Sequence, residues 1–253
     1  MGRYLAVLPA LALAGLVAGC APLAEPVAPQ PADTAAARLT PFSLGAAAQA
    51  PHAWSEWRFH PTKRMTRYRS IEFDGQRVLE ASADRSVSGL MHRVDVDPQA
   101  FPVLEWRWRI DATIAGSDVG DRYADDAPAR IVLAFDGDKT SLPLKEQMFF
   151  ERVKLLGGHD LPYATLMYVW DTVRDRDSVV ANAHTARVQK IVVESGPHGA
   201  REWRAYRRNI VADYERAYGR KPGRLLAVGV LTDADNTGQK VRSLYGDVKL
   251  LGR

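Results

Sequence analysis

The sequence predicts an all-β fold, an antiparallel β-sandwich with two short helices. Apolar and polar residues alternate with period two along about nine segments between residues 67 and 251. Only two segments carry a helical period, and they do not alternate with the strands as a parallel α/β sheet would require. About 200 residues follow Trp54, enough for one sizeable core and too few to demand two domains.

The elements follow in order. Strands are predicted at 67–73 and 77–83, joined by Asp-Gly-Gln at 74–76, a hairpin signal. In 88–96, Leu90, His92, Val94 and Val96 point one way, and Met91, Arg93 and Asp95 the other. In 103–111, Leu104, Trp106, Trp108 and Ile110 alternate with Glu105, Arg107, Arg109 and Asp111. That strand has one buried face and one ion-rich solvent face. Further strands are predicted at 129–136, 164–171, 186–194, 224–232 and 245–251. A helix is expected over 141–156, with Ser141 as N-cap, Pro143 in the first turn and Gly157-Gly158 as its stop. A second is expected over 206–218, with Ile210, Val211, Tyr214, Ala217 and Tyr218 on one face and Gly219 closing it.

Before this domain the chain reads differently. Arg3 precedes an unbroken apolar stretch at 4–19, the pattern of a secretory signal peptide over 1–19 that is too short to span a bilayer. Its end, Val17-Ala18-Gly19-Cys20, resembles the bacterial lipobox, in which the Cys accepts a lipid; Cys20 is the single Cys of the chain. Disulfides and cysteine catalysis are thereby excluded. Ala21, rather than Asp, resembles outer-membrane sorting, so the expectation is an outer-membrane lipoprotein facing the periplasm and anchored without crossing. Residues 20–51, rich in Ala and Pro, read as a tether, and 52–253 as the folded domain. The net charge of +4 is modest, and no basic run is interleaved with aromatics, which argues against nucleic acid as a partner.

Several phrases carry a resemblance. They are Trp106-Arg107-Trp108, the run Asp125–Phe135, Tyr168–Asp171, Arg207–Gly219, Leu231–Gly238 and Tyr245–Val248. Together they resemble a bacterial family of exported proteins, domain-of-unknown-function family 3047, from about Trp57 to Leu250. The resemblance implies a β-sandwich of the jelly-roll kind and carries over no catalytic residue. The closing Tyr245-Gly246-Asp247-Val248 also resembles the last strand of galactose-binding-like carbohydrate modules, in which an Asp often helps hold a structural calcium.

Common catalytic signatures are missing: the mature chain has no GxSxG, HExxH, GxGxxG or GxxxxGK[ST]. His52, His60, His92, His159, His184 and His198 are scattered, and His92 falls on an apolar strand face, the place of a satisfied core histidine. What remains is a set of carboxylates at strand ends: Asp111, Asp125, Asp126, Asp171, Asp233 and Asp235, with Asn236 beside them. In an antiparallel sheet the start of one strand lies beside the end of its neighbour, so Asp125, Asp126, Asp171, Asp233, Asp235 and Asn236 can meet at one rim. Such carboxylates repel unless a cation sits among them, and Arg130 is the candidate counter-ion. Calcium suits an oxygen-rich cluster, with Asp233, Asp235 and Asp247 as candidate ligands. An EF-hand is rejected, because Leu244 stands where its bidentate Glu belongs. The competing reading has Asp233 and Asn236 capping their own Asx turn. Trp106, Trp108 and Trp170 share apolar faces and are expected to fill the core rather than form a sugar platform.

The function expected is non-catalytic ligand binding, of envelope carbohydrate, at a sandwich face or the acidic rim. Two alternatives stand beside it: a glycan hydrolase using paired carboxylates from Asp125, Asp126, Asp171 and Asp233, and a structural partner of another protein in an envelope complex.

Overall fold

Alternating strands with one apolar face can only bury it against a second sheet, and the chain does so as a jelly-roll-like sandwich. The computed structural model describes residues 39–49, 51–157 and 160–252. The predicted signal peptide, Cys20 and most of the tether lie outside the described residues. No described helix is long and apolar enough to cross a membrane.

The strands are β1 (Ser55–Trp57), β2 (Arg67–Phe73), β3 (Gln76–Asp84), β4 (Val87–Val96), β5 (Val103–Ile110), β6 (Ala127–Phe135), β7 (Ala164–Asp171), β8 (Val179–Ala181), β9 (Val188–Ser195), β10 (Arg204–Asn209), β11 (Leu225–Asp233), β12 (Lys240–Tyr245) and β13 (Lys249–Leu251). The helices are α1 (Leu144–Gly157) and α2 (Ile210–Tyr218). The larger sheet has the order β1-β4-β11-β6-β7-β9-β8, and the smaller β10-β5-β12-β3-β2, with β13 also on β5. Pairing is antiparallel except between β7 and β9, which run parallel.

The inner faces meet in an aromatic core. Trp106 and Trp108 of β5 are buried, and Trp106 stacks between Tyr168 of β7 and Tyr206 of β10, each ring 4.9 Å away. Trp170 is buried in the same core, so none of the three tryptophans offers a face to a ligand. His92 is the satisfied core histidine expected. The Thr40 backbone N–H donates to its Nε2 at 3.2 Å, which leaves Nδ1 to donate to the Arg93 carbonyl at 2.9 Å. Leu39 and Phe42 are buried in that core too, so the folded domain begins before residue 52, inside the segment read as tether.

Other differences have local reasons. The 206–218 helix is two elements: residues from Arg204 to Asn209 pair with β5, and the helix starts only at Ile210. Asn209 is its N-cap, accepting from Val211 and Ala212 N–H at 3.1 Å, and Gly219 closes it with φ +68°. The 245–251 strand is divided between the end of β12 and β13, with Gly246–Val248 between them. Ser141 does not cap α1; it ends a 3-10 turn capped by Asp138, and the helix begins after Pro143. The Asp74-Gly75 hairpin is as expected, with φ +50° and +70° at its two turn residues.

β6 and β7 are buried along their whole length. A half-buried sheet would alternate, so the outer face of the large sheet must also be covered. A second apolar cluster lies there, built on Val132, Met167, Val169, Val192 and Leu231, with Trp57 and Phe59 packed against it.

Candidate functional site

Charged groups project from this covered outer face. On β6, Ile131 and Leu133 point to the core, which turns Arg130 outward; on β11, Val228 and Val230 do the same for Asp233. The ladder pairs Leu231 with Arg130 and Asp233 with Ala127, so the end of β11 meets the start of β6. Asp233 accepts from the Ala127 N–H at 2.8 Å, and from Arg130 Nε at 3.2 Å and Nη2 at 3.0 Å. Arg130 Nη2 also reaches Asp125 at 3.1 Å. Asp125 in turn holds Lys190 of β9 and accepts from Asn182 at 3.2 Å. Arg130 and Lys190, 3 % and 1 % exposed, are thus buried cations with carboxylate partners.

The remaining rim residues divide. Asp126 spans to the opening of the 235–238 turn, accepting from the N–H groups of Asn236 at 3.2 Å and Thr237 at 2.7 Å, and from the Thr237 hydroxyl at 2.6 Å. That corrects the self-capping Asx reading: a carboxylate from the loop before β6 holds the turn, while Asp233 serves Arg130. Asp235 pairs with Lys63. Asp171 stands apart from the network, accepting from Val119 N–H at 2.9 Å and Val173 N–H at 2.7 Å to fix two loops. Val119 links it to the rim, since the Val119 carbonyl accepts from Lys190. Asp111 belongs to the opposite sheet, paired with Arg109 and Arg242.

Asp126, Asp233 and Asp235 bring carboxylate oxygens within 4.8 Å of one another, a spacing suited to a cation. Asp247 is not among them; it accepts from the Ser43 N–H at 2.9 Å and hydroxyl at 2.8 Å. Arg130 and Lys63 already pair with Asp233 and Asp235, and Asp126 is committed to the turn, so the donor set fits protein cations better than calcium.

Burial shapes the charges. It pushes Asp233 up to about 7, with Arg130 pulling the other way and Asp126 and Asp125 adding to the rise. Burial also lowers Lys190, helped by the nearby Arg130 and opposed by Asp125. Arg130 is opposed by burial too, but Asp233 and Asp125 outweigh it and raise its pKa.

Beside this network the outer face opens into a cleft of about 440 Å³. Its floor includes Met167, Val188 and Leu231, and aromatic walls come from Trp57, Phe59 and Phe149. Trp57 ends edge strand β1 opposite Gly89; a Cβ there would lie 2.8 Å from the Val230 carbonyl and 3.4 Å from the Trp57 ring, so the glycine lets the ring settle over the sheet. Trp57 and Phe59 are half-buried with ring centroids 4.1 Å apart. Lys63, Asn182, Asp235 and Asn236 supply polar groups in the same lining. Sequence reasoning missed Trp57, Phe59, Lys63, Asn182 and Lys190 as site residues. Two signals were present: aromatics two apart at the start of the domain, and a lone Lys before Ile191-Val192-Val193.

The outer face of the small sheet is a weaker candidate. Its concavities, about 520 and 450 Å³, are lined by paired ions such as Asp111 with Arg242 and Glu105 with Arg207. Its aromatics are covered: Arg107 lies over Trp203 at 4.7 Å and Arg109 over Phe73 at 4.9 Å.

Among solved structures the chain is similar to a family 11 carbohydrate-binding module from Clostridium thermocellum in complex with a β-1,3-1,4-mixed-linked tetrasaccharide. Identity is 9 %, coverage 81 % of this chain and 91 % of that one, and the TM-score 0.39. It is also similar to the family 30 carbohydrate-binding module of a Clostridium thermocellum cellulosomal cellulase, at 9 % identity, 85 % and 94 % coverage, and TM-score 0.37. No curated protein matches the sequence. The model of the family described as Protein of unknown function (DUF3047) matches residues 52–249, and the chain belongs to that family.

Proposed function

We propose that the domain is a binding module that takes a carbohydrate of the cell envelope in the outer-face cleft, held near the outer membrane by a lipid on Cys20. The half-buried Trp57–Phe59 pair carries this reading. Sugars present CH patches that pack on aromatic rings and hydroxyls that need hydrogen-bonding partners. The cleft supplies both, with amide and charged side chains of Asn182, Asn236 and Lys63 in its lining. Calorimetric titration with envelope-derived oligosaccharides tests it. Trp57→Ala should weaken binding about tenfold, or about 1.4 kcal/mol, with the fold intact by circular dichroism. Unchanged affinity would remove the cleft from the reading.

A glycan hydrolase is the second reading. In its favour, Asp233 and Asp235 both line the cleft and Asp233 is pushed up to about 7, as a proton donor would be. Against it, the carboxylate oxygens lie within 4.8 Å and are tied to Arg130 and Lys63, whereas glycosidase pairs stand roughly 5–10 Å apart across an open site. Release of reducing ends from any of those oligosaccharides, lost in Asp235→Asn, would favour hydrolysis.

A further inference from the structure

The charges of the cleft do not cancel. Lys63, Arg122, Arg130, Arg152 and Lys190 line it as cations, and Asp125, Asp233 and Asp235 as anions. The three anions are matched internally: Asp125 by Lys190 and Arg130, Asp233 by Arg130, and Asp235 by Lys63. Arg122, in the loop before β6, and Arg152, on α1, have no carboxylate partner among the described residues. Each instead lies near an aromatic ring, Arg122 4.9 Å from Tyr123 and Arg152 5.9 Å from Phe149. Asp126 lies behind the wall with its oxygens engaged by the 236–237 amides and hydroxyl, so it does not answer either guanidinium.

From this we infer that the cleft selects a negatively charged saccharide, with its acidic group received by Arg122 and Arg152 while its ring packs on Trp57 and Phe59. This rests on the proposed carbohydrate reading and specifies its ligand class. The physical case is that a guanidinium offers forked donors matched to carboxylate or phosphate. Both arginines are exposed, so the attraction is open to screening by salt. A neutral ligand would leave both guanidinium groups unanswered.

The test is calorimetric titration of the full chain with three oligosaccharides of equal length: a polygalacturonate, a phosphorylated oligosaccharide and a neutral oligogalactose. At low salt the acidic ligands should bind at least about tenfold more tightly than the neutral one, and the preference should shrink as salt rises. The tighter of the two acidic ligands identifies carboxylate or phosphate as the preferred group. Arg122→Gln and Arg152→Gln should each reduce the preference severalfold, whereas Arg93→Gln, an exposed arginine outside the cleft lining, should preserve it. Equal, salt-independent binding of all three ligands would overturn the inference while leaving the carbohydrate reading standing. A preference indifferent to both arginine variants would overturn it as well. Binding of none would overturn the carbohydrate reading, and this inference with it.

Discussion

Two arginine–carboxylate pairs, one on each outer face of the sandwich, use the same chemistry in opposite settings. On the large sheet, Arg130 and Asp233 have side chains 4 % and 8 % exposed and adjoin an apolar cluster. On the small sheet, Arg207 and Glu105 are 63 % and 33 % exposed. Taking one partner from a buried pair leaves an uncompensated charge in low dielectric, at a cost of about 3–5 kcal/mol; an exposed pair contributes about 0–1 kcal/mol. Identical residue types are therefore structural in the Arg130–Asp233 pair and solvating in the Arg207–Glu105 pair. The buried pair also borders a cleft, whereas on the small sheet Arg107 and Arg109 lie over Trp203 and Phe73.

The sharpest way to break this comparison is a pair of arginine deletions. Arg130→Ala should cost about 3–5 kcal/mol in urea denaturation, and Arg207→Ala less than about 1 kcal/mol. Equal losses would show that burial does not separate the two pairs. The same contrast can be run across one strand. Trp106→Ala should cost about 3–5 kcal/mol, because it opens a cavity between Tyr168 and Tyr206, and Glu105→Ala little. Comparable melting temperatures would mean that the faces of β5 are reversed.

A smaller effect separates the faces by pH. Asp233 is raised from 3.8 to about 7, so between those values the folded state holds a proton that the unfolded chain releases. Its contribution is fully present below 3.8 and is lost as pH climbs through about 7. Glu80 behaves in the opposite sense. Burial raises it, but hydrogen bonds from Arg69 and Arg242 outweigh that and hold it below its ordinary 4.5. Its contribution is present above 4.5 and lost as pH falls through the lowered value. Asp233→Asn should flatten the stability profile between about pH 4 and 7, and Glu80→Gln should flatten only its acid limb. A flattened neutral limb in Glu80→Gln would show that the assignment is reversed.

The smallest expected effect is that of calcium. Since Arg130 and Lys63 already sit among the carboxylates, millimolar calcium should move the melting temperature by less than about 1 °C. A larger rise, abolished by chelator and by Asp235→Ala, would restore the metal reading of the rim.

Much of this was legible in the chain. The alternation Leu104-Trp106-Trp108-Ile110 became a buried face, and the antiparallel pairing of β11 with β6 lays Asp125, Asp126, Asp233 and Asp235 near Arg130. The same logic did not bring Asp171 into the network, because its oxygens were taken by loop amides that no strand pattern announces. β10 was hidden inside a good helical pattern because pairing with β5, about 100 residues earlier, outweighs local propensity.

By itself, the sequence determined whatever depends on neighbours along the chain: strand periods, turn glycines, and the polarity that places one strand's end beside the next one's start. Tertiary structure alone decided which charges answer which. Arg130 finds Asp233 across 103 residues, and Lys63 finds Asp235 across 172. It also decided that Trp57 and Phe59 line a cleft while Trp106 and Trp170 fill a core. The reason is physical: alternation shows only that a strand has two faces, and burial is set by what the rest of the chain lays over each of them.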